Sequence, residues 1–156
     1  MRTKFLFGLI LLFALAVSGF TQTKEAKMFY EFDFRHIQCE EAKLWVDYFA
    51  DELYKTPESK GYIIYYGGKT NPYGNKLPYR NESKVRMGYF MEDYQVSTRL
   101  GGNAKLIDGG YREKYTAQFW VVPKGAILPI PSPTFKTEEI KFRKGKYRRA
   151  KQGEGC

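Results

Sequence analysis

Between Gly61 and Arg86 the chain reads GYIIYYGGKTNPYGNKLPYRNESKVR, and here Lys69, Thr70, Asn71, Asn75, Arg80, Asn81, Ser83 and Arg86 gather within a short span. Hydroxyls and carboxamides beside guanidinium groups are suited to holding carboxylates or phosphates, because arginine can offer two parallel N–H groups to one anion. The same polarity is what a solvated loop shows. Catalytic chemistry lacks its parts. His36 is the only histidine, and there is no GxxxxGK[ST] phosphate loop, no GxSxG elbow and no metal-ligand cluster. Asp47, Asp51 and Glu52 read as a solvated helix face and not as an acid/base set. A non-catalytic binding protein without cofactor or metal is therefore expected, and His36 is read as structural.

The elements that must position these residues follow from periodicity. Tyr30 to Ile37 alternates, with Tyr30, Phe32 and Phe34 opposed to Glu31, Asp33 and Arg35, which marks a half-buried strand. Over Cys39–Lys55 the period changes: Ala42, Trp45, Phe49 and Leu53 recur at helical spacing, Glu40 and Glu41 favour the first turn, and Pro57 stops the helix. Tyr62 to Tyr66 is an unbroken β-branched and aromatic run suited to a central strand that Gly67 and Gly68 end. A second helix is expected from Ser83 to about Ser97, with Met87, Phe90, Met91 and Tyr94 on one face, Arg86 at its edge, and Gly101 and Gly102 closing it. Short strands follow at Ala104–Ile107 and Tyr115–Val122. The intervening Asp108–Lys114 turn implies that they pair as an antiparallel hairpin. The expected fold is α+β, a two-layer αβ sandwich in the order β-α-β-α-β-β.

This order, and the spacing in the central stretch, resemble the C-terminal peptidoglycan-associating domain of outer-membrane protein A. The family pattern has a strand ending in Gly-His-Thr-Asp, a Gly three residues on, and a helix with a Ser shortly before an Arg that stands fifteen residues beyond the Asp. The chain has Gly68, Lys69, Thr70 and Asn71, then Gly74, Ser83 and Arg86, within a span of about Tyr30 to Val122. The resemblance implies a cell-wall binder in which Asn71 and Arg86 stand where the family holds the charged groups of a diaminopimelate residue. Thr70, Asn71, Ser83 and Arg86 are accordingly the expected ligand-binding residues. Asn71 departs from the family's Asp and offers a ligand ammonium only a neutral acceptor, and Glu82 stands where the family has a leucine. The alternative is a structural or protein-interaction domain of the same shape that has lost its ligand.

The ends of the chain carry other signals. Arg2 and Lys4 precede the apolar run Phe5–Val17, followed by Ser18 and Gly19, the pattern of a secretory signal over residues 1–19, with Ala16 as a rival cleavage point. An exported protein, periplasmic or extracellular, is expected. A polar leader then covers 20–28, the αβ domain 29–123, and a Pro-rich linker 124–135. The tail 136–156 is basic and expected to be disordered, able to contact an anionic polymer or a membrane surface. Export would allow Cys39 and Cys156 to pair, which the chain-entropy model values at roughly 4 to 5 kcal/mol; intermolecular pairing and free thiols remain the alternatives. Asn81-Glu82-Ser83 fits a glycan acceptor, relevant in a eukaryotic secretory pathway. Nucleic acid is not an expected partner, since most tyrosines fall at core positions of strands.

Overall fold

The computed structural model describes residues 24–33 and 39–148. The expected signal segment, His36 and the Cys39–Cys156 pairing lie outside the described residues or depend on residues that do. Strand β1 (Lys27–Asp33) leads to helix α1 (Cys39–Lys55), strand β2 (Lys60–Gly68), helices α2 (Glu82–Asp93) and α3 (Val96–Arg99), and strands β3 (Ala104–Arg112) and β4 (Thr116–Val122). One four-stranded sheet runs in the order β1-β4-β2-β3. The helices supply its second layer, as the α+β reading expects.

The layer between sheet and helices is built from side chains that periodicity places there. Ala42, Val46, Phe49 and Ala50 of α1 and Met87 and Phe90 of α2 are buried against Phe32, Ile63, Tyr65, Ala117, Phe119 and Val121 of the sheet. A register shift in β1 between Met28 and Tyr30 turns both Phe29 and Tyr30 to the helix side. There Tyr30 stacks on Trp45 with ring centres 3.7 Å apart, and Phe29 meets Phe49 at 5.7 Å.

The second helix is not continuous through Ser97. On an unbroken helix Val96 would point opposite to Met87, nine residues earlier, because nine steps of 100° leave half a turn. Gln95 takes a left-handed conformation (φ 49°) and redirects the chain. Val96 and Leu100 thereby enter the core.

The expected hairpin is overturned. β3 pairs parallel with β2, and β4 lies on the other side of β2, antiparallel to it and to β1. The third strand continues through the expected turn to Arg112, so residues 113–115 must cross the end of β2. Two glycines make room for this. A Cβ on Gly68 would stand 2.9 Å from the Tyr115 nitrogen, and one on Gly67 would stand 2.6 Å from the Tyr111 ring. A short connection thus joins strands that are not neighbours, because the strand between them ends in residues without side chains.

Residues 132–135 lie against the face of the sheet away from the helices. Arg112 anchors them. Its Nε–H donates to the Ser132 carbonyl at 3.2 Å, one terminal nitrogen donates to Ser132 Oγ at 2.6 Å, and the other reaches Glu31 of β1 at 3.3 Å. Its guanidinium lies 3.7 Å from the centre of the Tyr66 ring, whose hydroxyl accepts the Ser132 N–H at 3.2 Å and donates to Gln118.

The expectation of a disordered tail beyond 135 is also corrected for residues 136–148. Isolated bridges pair Phe135 with Tyr111 and Arg143 with Tyr79, Thr137–Glu139 forms a single 3-10 turn, and Ile140 is buried. The reason is that Arg143 of the tail finds the Tyr79 ring, the tail's Phe142 receives Arg80, and Ile140 is buried, all against a surface formed elsewhere in the chain.

Candidate functional site

The loop between β2 and α2 is shaped by its own polar residues. Asn71 Oδ1 accepts the backbone N–H groups of Asn75 (3.2 Å) and Lys76 (3.3 Å), while the Asn71 N–H donates to the Lys76 carbonyl at 2.8 Å. This is the local competition that makes asparagine a turn residue. Gly74, at φ 73°, supplies the left-handed position the turn needs. The carbonyl oxygen of the Asn71 side chain is therefore engaged in folding the loop. Thr70 is half-buried beside the crossover.

Ser83 and Arg86 sit on the first turns of α2. The Ser83 side chain is buried, and its backbone carbonyl accepts the Tyr115 hydroxyl at 2.6 Å. Arg86 is tied to its own helix: its Nε–H donates to Glu82 Oε1 at 2.9 Å, while Glu82 Oε2 accepts the Tyr79 N–H at 3.0 Å. The Glu82 side chain is only 4% exposed, so its charge depends on that pairing. The Arg86 guanidinium is also covered, with the Tyr147 ring centre 4.4 Å away and that of Tyr73 at 6.0 Å. Burial raises the pKa of the Tyr115 and Tyr147 hydroxyls, against an opposing pull from Arg86, so both rings stay neutral around the ion pair.

Of the four expected ligand residues, the structure thus brings Ser83 and Arg86 together at the start of α2 and uses Asn71 and Thr70 in the loop before it. Glu82, Tyr115 and Tyr147 complete the arrangement and were not legible as site residues. The Glu82–Arg86 spacing of four did carry a signal, since such pairs meet on a helix. Tyr147 carried none, because its docking partner stands far away in sequence.

Around this centre the loop and the tail interlock. Lys69 lies over the Phe135 ring at 3.8 Å, Arg80 over Phe142 at 4.7 Å, and Arg143 over Tyr79 at 4.8 Å. Cations from both segments use rings from the other, each such contact adding about 0.5 to 2 kcal/mol according to its exposure. The result is a single face made from residues 69–81 and 136–148. Together these segments carry nine Lys and Arg against two Glu, a surplus of seven within a chain whose total is +9.

Among the described residues no group of three or more His, Cys, Asp or Glu side chains could hold a metal ion, and no helix is long and apolar enough to cross a membrane. Comparison of the chain with family models, with curated proteins and with solved structures gives no match.

Proposed function

We propose that the chain is an exported, non-catalytic cell-envelope protein that docks on peptidoglycan or a related anionic envelope polymer. The observation that carries this reading is the basic face, on which cationic side chains from two distant segments converge with few carboxylates between them. Such a surface attracts a polyanion along its length and does not require a deep pocket. The resemblance of the central stretch to the peptidoglycan-associating domain of outer-membrane protein A supports the same end of the fold as the binding end. It does not extend to the individual contacts: Arg86 is paired with Glu82 and covered by Tyr147, and the Asn71 carbonyl oxygen closes its own turn. Those two facts favour a second reading, an interaction domain that has lost its small ligand site and uses its surface to bind another protein.

Cosedimentation of the exported protein with purified sacculi over a salt series separates the two. Exposed Lys141, Lys144 and Lys146 leave the ion pairs and ring contacts intact when replaced by glutamine. Binding by wild type at low salt, a steep fall as salt rises, and a loss of about tenfold in the triple variant are expected, because exposed charges are screened within about 10 Å at 0.1 M. A wild-type protein that stays in the supernatant at low salt would exclude the polymer reading and leave the protein-interaction one.

A further inference from the structure

We propose that the segment following β4, through Ile127, Leu128 and Ile130, seats in the interfacial layer of an anionic lipid bilayer. Ile127 and Leu128 follow the turn that leaves β4, where the Ala126 N–H donates to the Pro123 carbonyl at 3.0 Å, and Ile130 stands two residues before Ser132. Ile127 and Ile130 are each 83% exposed, and Leu128 50%. An isoleucine in a groove would be shielded on several sides, so exposures this high describe side chains that protrude. Pro129 and Pro131 restrict the backbone between them, and Ser132 is fixed to Tyr66 and Arg112. The aliphatic groups are thus held outward by a restrained segment, and little ordering cost remains for binding.

The surroundings indicate what meets them. Met28 and Trp120 are register partners, and Tyr62 and Lys105 continue the same row across the sheet, so all four share the outer side. Met28 is exposed and Trp120 half-buried, its indole N–H donating to Gln118 at 3.3 Å. Lys60, register partner of Val122, and Lys105 are exposed around this end, while Lys124 is paired with Glu58 at 2.9 Å. Protruding aliphatics, an indole with one polar edge and a rim of lysines, whose stems lie along apolar surface while their ammonium groups reach outward, match the boundary between acyl chains and anionic headgroups. A concave protein partner would have no use for a convex wedge with a cationic rim unless its groove were acidic, and nothing in the face favours that arrangement over a lipid surface.

The test uses the exported protein and the I127S/L128S/I130S variant, which keeps every cation, including those of the basic face. Both are sedimented with vesicles of phosphatidylcholine alone and of phosphatidylcholine mixed with phosphatidylglycerol, at low and raised salt. Wild type is expected to prefer the anionic vesicles and to keep part of its binding at raised salt, where the basic face is screened. The variant should lose about tenfold or more in partitioning, since one aliphatic side chain withdrawn from an apolar layer is itself worth about that factor. Its melting temperature should match wild type, because the replaced groups are exposed. Equal partitioning of the two proteins overturns the proposal, as does equal affinity of wild type for neutral and anionic vesicles. A wild-type dimer that the variant converts to monomer would assign the face to a second copy of the chain and overturn the proposal in the same way.

Discussion

Asn81 and Tyr147 exchange two hydrogen bonds across 66 residues of sequence: the Asn81 side-chain N–H donates to the Tyr147 carbonyl at 3.3 Å, and the Tyr147 N–H donates to Asn81 Oδ1 at 2.9 Å. A carboxamide here imitates a neighbouring strand and fastens the tail beside the start of α2. It also engages the nitrogen that a glycan would need.

Replacing Asn81 by leucine should free this end of the tail. Two hydrogen bonds are lost, each with a net value of about 1 kcal/mol, and the partner groups stay partly buried. A loss of about 1 to 3 kcal/mol in stability is expected from urea titration under reducing conditions. Amide exchange should rise in residues 141–148 while the sheet remains protected. Unchanged exchange in the tail would show that the ring contacts alone hold it.

The Glu82–Arg86 pair predicts an asymmetry. Arg86→Ala leaves a buried carboxylate without its cation and should cost about 3 to 5 kcal/mol. Glu82→Gln on the same background removes the stranded charge, so the double variant should be more stable than Arg86→Ala alone, as a double-mutant cycle measures. If the double variant is no more stable than the single one, the carboxylate is better solvated than its 4% exposure implies.

Gly68→Ala should disturb the crossover more than an alanine in a strand ordinarily would. The added methyl group meets the backbone of Thr70 and Tyr115 at 2.9 Å, and backbone cannot swing aside as a flexible side chain does. Overpacking of this kind costs about 1 to 3 kcal/mol. Thermal melting should show the loss, with Gly88→Ala as the contrasting case: nothing lies within 4 Å of a Cβ there, and the helix gains from the better helix former.

Alkali should unfold the protein earlier than surface tyrosines alone would predict. Tyr115 and Tyr65 titrate above the ordinary phenol value, chiefly through burial, with Asp108 adding to the effect at Tyr65. Unfolded chains lose these protons near pH 10 while the folded protein keeps them. The unfolded state then binds fewer protons, so stability is fully present below about pH 10 and falls as pH rises beyond it. The urea midpoint should decline over that range. Tyr115→Phe, although less stable at neutral pH for want of its bond to Ser83, should show a flatter decline.

Local pattern was enough for much of the architecture. The alternation of Tyr30 to Asp33, the helical spacing of Ala42, Val46 and Phe49, and the apolar run Tyr62–Tyr66 each report which side of an element is buried, and that information is carried by neighbours in sequence. α1 begins and ends where its pattern does, at Cys39 and Lys55. Tertiary structure decided what periodicity cannot encode. A turn of three residues between β3 and β4 would suit a hairpin, yet β2 lies between them because Gly67 and Gly68 let the chain pass over its end. The tail's cations read as a solvated run when only adjacent residues are considered. Their order depends on Tyr79, Asn81 and Tyr111, which stand far away in the chain and reach one surface only after β2, α2 and β3 have packed.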